Sequence, residues 1–122
     1  MQDPDLSGCR VLLVEDEYIV AKSLTRLLSL FGAEVVGPAA TPETALALLQ
    51  ASDELHFAVL DVNLRGTMTF EIADALTERG VPFAFTTGYG LPVIPERYRN
   101  AAVLQKPYDV DDICKALVPL RC

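Results

Sequence analysis

A doubly wound α/β fold with five parallel strands follows from three observations on the sequence. Short apolar runs of strand length alternate with stretches of helical period. Each run gives way abruptly to a polar or glycine-bearing stretch, and the intervening segments are long enough for helical crossovers. Parallel strands need such crossovers, and the helices then cover both faces of the sheet.

Arg10-Val11-Leu12-Leu13-Val14 is the first run, and it ends in Glu15-Asp16-Glu17. A continuous apolar run bounded by polar residues suits a strand buried on both faces. From about Tyr18 to Phe31 the period becomes helical, with Val20, Leu24, Leu27, Leu28 and Phe31 on one side and Lys22, Arg26 and Ser29 on the other. Gly32 stops that helix. Residues 33–37 form a short strand. Thr41-Pro42-Glu43 then reads as a helix N-cap, proline at the first helical position and an acid in the first turn.

Phe57-Ala58-Val59-Leu60 is the central strand and runs straight into Asp61. A helix follows from about Thr69 to Arg79, stopped by Gly80. Residues 82–87 make the fourth strand, which turns sharply at Gly88-Tyr89-Gly90. Pro92 and Pro95 forbid a long regular helix in residues 91–100 and leave room for one or two turns around Pro95–Asn100. Residues 101–105 are the fifth strand, followed by Lys106-Pro107. The last helix is predicted from about Asp109 to Val118, with Val110, Ile113 and Leu117 facing inward. The whole is a flavodoxin-like sheet of strand order 2-1-3-4-5, its fourth helix short or missing, with a crevice between strands one and three.

The chain has 122 residues, 51% of them hydrophobic and 22% charged, which describes one globular domain with a real core. Residues 1–9 read as a flexible N-terminal arm and residues 10–120 as the domain. A net charge of −7 disfavours nucleic acid or an anionic membrane as a partner. It suits a basic partner surface or a cation held by clustered carboxylates. Cys9, Cys114 and Cys122 are odd in number and lack metal-ligand spacing, so they are expected as reduced thiols of a cytoplasmic protein. The first residues lack the basic and apolar regions of a secretory signal, and no apolar run approaches the length of a membrane span.

Laid on that sheet, Glu15, Asp16 and Asp61 converge at the crevice, and Thr87 and Lys106 close strands four and five beside them. Three acids packed together repel one another unless a cation intervenes. Hard oxygen donors suit Mg²⁺, which accepts one or two carboxylates together with phosphate oxygens. A carboxylate can attack phosphorus to give an aspartyl phosphate. That chemistry needs a metal, a cation opposite and a hydroxyl donor, which the acids, Lys106 and Thr87 supply.

Val14-Glu15-Asp16-Glu17, Leu60-Asp61-Val62-Asn63, Thr87-Gly88 and Lys106-Pro107 resemble, in order and spacing, the signature of response-regulator receiver domains. Phe85-Thr86-Thr87-Gly88-Tyr89-Gly90, with Asp61-Val62-Asn63-Leu64-Arg65-Gly66, is similar to the FAT GUY subfamily. The resemblance implies that Asp61 is phosphorylated by a histidine kinase or histidine phosphotransfer protein. It implies Mg²⁺ bound by Asp16, Asp61, the backbone carbonyl of Asn63 and Glu15, the last directly or through water. Lys106 would pair with the phosphoryl group, Thr87 would hydrogen-bond it, and Gly88 would leave it open to partners and water. Helix one and the loop after strand five are the implied docking surface, with Ser23, Arg26, Leu27, Leu30, Pro107 and Tyr108 as residues to test.

Two departures from the family pattern stand out. The aromatic switch position three residues before the lysine holds Val103, and Tyr89 is the candidate substitute. The fourth helix gives way to a proline-bearing segment, which puts the usual output face in doubt. Two other readings remain. An Asp-nucleophile metal phosphohydrolase of the haloacid-dehalogenase type would carry a second Asp where this chain has Asn63. A degenerate receiver would serve as a phosphorylation-independent binding module, which the intact Asp16, Asp61, Thr87 and Lys106 set opposes.

Overall fold

The structure, a computed structural model, describes residues 3–88, 94–106, 108–119 and 122. Its elements are β1 (Arg10–Val14), α1 (Tyr18–Leu30), β2 (Glu34–Ala39), α2 (Pro42–Ala51), β3 (Phe57–Asp61), β4 (Asn63–Leu64), β5 (Thr67–Met68), α3 (Phe70–Glu78), β6 (Phe83–Thr87), β7 (Ala102–Gln105) and α4 (Val110–Leu117). A parallel five-stranded sheet runs in the order β2-β1-β3-β6-β7. With the small β4–β5 hairpin set aside, this is the doubly wound order expected from the sequence.

Alternation along the strands divides the core into two layers. Leu12, Val14, Leu60 and Phe85 face α2 and α3, where they meet Ala45, Leu49, Ile72 and Leu76. Val11, Leu13, Val59 and Ala84 face α1 and α4, where they meet Leu24, Leu28, Ile113 and Leu117. β3 is buried along its whole length, as befits the central strand of a covered sheet.

Local chemistry fixes the helix starts. The Thr41 hydroxyl accepts the Thr44 backbone N–H at 3.1 Å, with Pro42 at the first position of α2. Asp109 and Asp112 exchange side-chain-to-backbone hydrogen bonds of 3.0 and 3.1 Å at the start of α4. The conformation of β2 is set at Gly37, whose φ of +108° belongs to the left-handed region. A Cβ there would lie 2.7 Å from the Leu13 carbonyl oxygen, so only glycine lets β2 close against β1. The Glu15 N–H then donates to the Ala39 carbonyl at 2.9 Å, which anchors the first acid of the crevice.

The structure corrects several expectations. Within the arm expected over residues 1–9, Pro4, Leu6 and Cys9 are buried, and the Leu6 N–H donates to the Phe31 carbonyl at 2.9 Å. An apolar side chain entering the α1–α4 layer outweighs the polar composition around it. Cys9 and Cys122 are not separate thiols but a disulfide pair, with Cα atoms 5.2 Å apart across 113 residues of sequence. Cys114 alone is free, and it is buried. Val110, expected to face inward, is more than half exposed and lines the groove beside α1.

The hairpin of Asn63–Leu64 with Thr67–Met68 has no apolar alternation to announce it. Hydrogen bonds close it instead: the Gly66 N–H donates to Asn63 Oδ1 at 2.5 Å, and Arg65 adopts a φ of +51° at the tip. Between β6 and β7, among the described residues, there is only a single 3-10 turn at Glu96–Tyr98, in place of a full helix. Among the described residues no helix is long and apolar enough to cross a membrane.

Candidate functional site

Three strand ends bring the predicted residues together. Glu15 follows β1 and is buried, and Asp61 is the last residue of β3. Lys106 follows β7, where its N–H donates to the Thr87 carbonyl at 2.7 Å. That bond ties the lysine to the end of β6, so its side chain has to project over the crevice.

The ammonium of Lys106 sits among the acids. Its Nζ lies 2.9 Å from Glu15 Oε1, 3.0 Å from Asp61 Oδ2 and 3.2 Å from Glu17 Oε1. The contact to Asp61 is a hydrogen bond, and charge-assisted bonds of this kind are the strong ones. The other Asp61 oxygen, Oδ1, accepts the Asn63 N–H at 3.1 Å. The Thr69 hydroxyl donates to the Asp61 carbonyl at 2.7 Å and so holds the strand end from below. Glu15 Oε2 accepts the Glu17 N–H at 3.1 Å.

Asp16 stands at the solvent edge, its Oδ2 3.6 Å from Nε of Arg65 at the hairpin tip. Carboxylate oxygens of Glu15, Asp16 and Asp61 all lie within 4.8 Å of one another. Burial pushes the Glu15 carboxyl up to about 7, against the pull of Lys106 and the Glu17 N–H, and the neighbouring Asp61 adds to the rise. Burial alone would lower the Lys106 ammonium, but its bonds to Glu15 and Asp61 outweigh this and raise it.

A hard divalent cation fits this donor set. Every donor is an oxygen, and Glu15 Oε1 is a buried carboxylate oxygen with no hydrogen bond among the described residues. Its short approach to Lys106 is an ion pair without hydrogen-bond geometry. Such an oxygen keeps a lone pair for a metal.

Thr87 is buried at the end of β6, paired with Gln105 of β7. Among the described residues, a Cβ added at Gly88 would meet nothing within 4 Å. Asn63 lies in β4, one residue beyond the Asp61 to Val62 step. Tyr89 and Pro107 lie outside the described residues. Val103, in the usual aromatic position, is 43% exposed.

Sequence reasoning missed three participants. Arg65 belongs here only because the hairpin folds back over Asp16. Glu17 reads as an ordinary loop acid, yet it shares Lys106. Tyr108, read only as a docking residue, has a buried hydroxyl with no hydrogen bond among the described residues; burial, reinforced by Glu15, pushes it up to about 12. The acid run before α1 was a signal for Glu17; Arg65 depends on a chain reversal that no local pattern marks, and the burial of Tyr108 on packing against the α1–α4 layer.

A family model described as the response regulator receiver domain matches residues 11–118. The solution structure of SdrG from Sphingomonas melonis Fr1 is 39% identical, covers 89% of this chain and 92% of its own, and superposes with a TM-score of 0.77. The BeF3-activated conformation of SdrG, from Pseudomonas melonis Fr1, is 38% identical over 91% of this chain and 94% of its own, with a TM-score of 0.75. The transcriptional regulatory protein PdtaR of Mycobacterium tuberculosis is 29% identical over 115 residues, 88% of this chain. The chain spans about half the length of these curated relatives, 54% of each. A CheY-like receiver from Methanospirillum hungatei JF-1, at 18% identity and a TM-score of 0.74, shares the fold. An α/β sheet of this order, matched from its first strand to its last helix by one family model, leaves one assignment: the chain belongs to the response regulator receiver domain family.

Proposed function

We propose that this receiver is a phosphoacceptor switch in a two-component system or phosphorelay, with Asp61 as the acceptor. The observation that carries the reading is the hydrogen bond between Lys106 Nζ and Asp61 Oδ2 at 3.0 Å, inside a group of three mutually close carboxylates. A lysine that pairs with Glu15, Glu17 and Asp61 is placed to turn toward a phosphoryl oxygen on Asp61.

The donor is a phosphohistidine of a histidine kinase or histidine phosphotransfer protein. An Asp61 carboxylate oxygen attacks phosphorus; the P–O bond forms as the P–N bond breaks, and the imidazole leaves with its electron pair. Lys106 pairs with one phosphoryl oxygen, and the Thr87 hydroxyl donates to another. Hydrolysis by water through the open side at Gly88 returns the Asp61 carboxylate and releases inorganic phosphate. Glu15, Asp16, Asp61 and the Asn63 carbonyl are the residues that would hold Mg²⁺, which neutralises phosphoryl oxygens when bound. The self-catalysed gain and loss of one phosphoryl group makes the chain a signalling domain and not a turnover enzyme.

The docking surface in this reading is the face of α1 beside the start of α4. A groove of about 1010 Å³ runs there, with Ser23, Arg26, Leu27, Leu30 and Tyr108 in its lining. Ile19 and Leu30 are largely exposed on it, which suits a helical partner with an apolar stripe. Leu27 also packs against the α1–α4 layer, so it serves both core and groove. The cytoplasm, where such kinases present their phosphohistidine, is the expected compartment. The motif from Phe85 to Gly90 and the short segment before β7 support membership of the FAT GUY subfamily.

Beryllofluoride with Mg²⁺ mimics an aspartyl phosphate, and SdrG has a BeF3-activated conformation. A titration of wild type and Asp61→Asn followed by backbone amide NMR is the test. Shifts at Asp16, Asn63, Thr87 and Lys106 in wild type alone are expected. A Mg²⁺ response with no beryllofluoride response would overturn phosphoacceptance, and silence toward both would leave a binding module.

A further inference from the structure

The exposed valine at position 103 leaves the site without the aromatic that ordinarily reports its state, yet a different aromatic packs against the same sheet. Tyr98, in the 3-10 turn before β7, is buried in the α2–α3 layer. Its ring packs edge-on against Phe83 at 5.6 Å and Phe85 at 5.8 Å, both on β6. Phe85 also meets Phe70 of α3 at 5.9 Å. Phe85 and Thr87 are two residues apart on one strand, so they stand on the same face of the sheet.

The outer end of Tyr98 is latched. Its hydroxyl donates to Asp74 Oδ1 on α3. Arg97 adds a two-pronged bond to the same carboxylate, Nε at 2.9 Å from Oδ1 and a second nitrogen at 3.1 Å from Oδ2. The guanidinium also lies over the Tyr98 ring at 4.9 Å from its centre. Arg97 and Tyr98 together hold the Asp74 carboxyl below its usual range. One carboxylate thus fastens the segment before β7 to α3, while the tyrosine between them leans on the strand that ends in Thr87.

We infer that Tyr98 is the positioning residue that couples Thr87 to the rest of the molecule, with the Asp74–Tyr98–Arg97 latch as the element it biases. This rests on Asp61 being the phosphoacceptor. Movement of Thr87 toward a phosphoryl oxygen shifts the end of β6. The shift reaches Phe85, and the tyrosine resting on Phe85 must follow or give up its bond to Asp74. The surface that changes is α3 and residues 94–101, away from the docking groove on α1.

The test is beryllofluoride and Mg²⁺ titration of wild type, Tyr98→Phe and Asp74→Asn, followed by backbone amide NMR with melting temperatures measured alongside. Tyr98→Phe keeps the ring packing and removes only the hydroxyl. Expected is a wild-type response at Thr87, Asp74 and residues 96–101. In both variants the Thr87 response persists and the response at position 74 and at 96–101 is lost, also when the melting temperature is unchanged. A wild-type response that stops at Thr87 overturns the coupling and leaves the phosphoacceptor standing. Variants that respond at 96–101 as wild type does also overturn it. Silence at Thr87 in wild type overturns the phosphoacceptor reading and the coupling with it.

Discussion

The charged crevice at the strand ends and the charged latch between α3 and the 3-10 turn are built on opposite plans. At the crevice, Lys106 faces Glu15, Glu17 and Asp61, with Glu15 and Asp61 side chains 1% and 7% exposed. At the latch, Asp74 faces Arg97 and Tyr98, with Asp74 and Arg97 side chains 49% and 53% exposed. The crevice carries a surplus of negative charge out of water, while the latch is balanced and wet. Balanced, solvated pairs join elements at little cost. A buried surplus of like charge destabilises the fold and is the arrangement that functional sites, not fastenings, show. The difference separates a site from a fastening without reference to any motif.

Phe85 links the two clusters, and removing it gives the largest expected effect. Phe85→Ala should cost about 3–5 kcal/mol, since the ring is fully buried against Phe70, Phe83 and Tyr98. Urea denaturation measures this, and a cost near zero would mean that β6 does not join the clusters.

The pH response comes next, and the two clusters should differ in sign. The Glu15 carboxyl is raised by burial to about 7 in the folded chain. Its stabilising contribution is therefore complete below its unfolded value near 4.5 and is lost as pH rises through about 7. Metal-free protein should lose stability between pH 5 and 8 by ~1 kcal/mol or more, and Glu15→Gln should flatten that slope. Asp74 is lowered by Arg97 and Tyr98, so its contribution is present above its unfolded value and fades as pH falls through the folded one. Asp74→Asn should flatten that acid limb and leave the slope through neutral pH unchanged. Urea midpoints across pH, in chelator, read both.

Neutralising one acid in each cluster sharpens the contrast. Without metal, Asp61→Asn should hold or raise stability by about 1 kcal/mol, because it relieves repulsion around a lysine that keeps Glu15 and Glu17. Asp74→Asn should lower stability by roughly 1 kcal/mol, as a fastening loses its charge. The same sign in both would erase the distinction. The smallest effect is expected at Arg65, whose exposed side chain reaches Asp16 at 3.6 Å. Arg65→Ala should change stability by no more than about 0.5 kcal/mol and tighten Mg²⁺ binding a few-fold at most, as isothermal titration would show.

Much of the site could be read before the fold was known. Leu60 running into Asp61 marks a buried strand with an acid at its end, and Val14 before Glu15-Asp16 repeats the device. Lys106 became meaningful only through the order of the strands, because its partners Asp61 and Glu17 stand 45 and 89 residues away. Tyr98 gave no signal, since an aromatic in a proline-bearing stretch looks the same whether it rests on β6 or lies in solvent. Arg65 was hidden for another reason: two-residue strands are too short to show a period.

By itself the sequence determined what short-range forces determine. Hydrophobic pattern set the five strands of the main sheet and the four helices, the Thr41 and Asp109 caps set two helix starts, and the apolar-to-acid breaks set which residues stand at strand ends. Tertiary structure alone decided which of those ends share water-excluded space. It seated one ammonium among three acids, laid Tyr98 against Phe85, and closed Cys9 onto Cys122. These pairings join residues far apart in the chain, and their free energy exists only once the sheet has brought the partners together and removed the water between them.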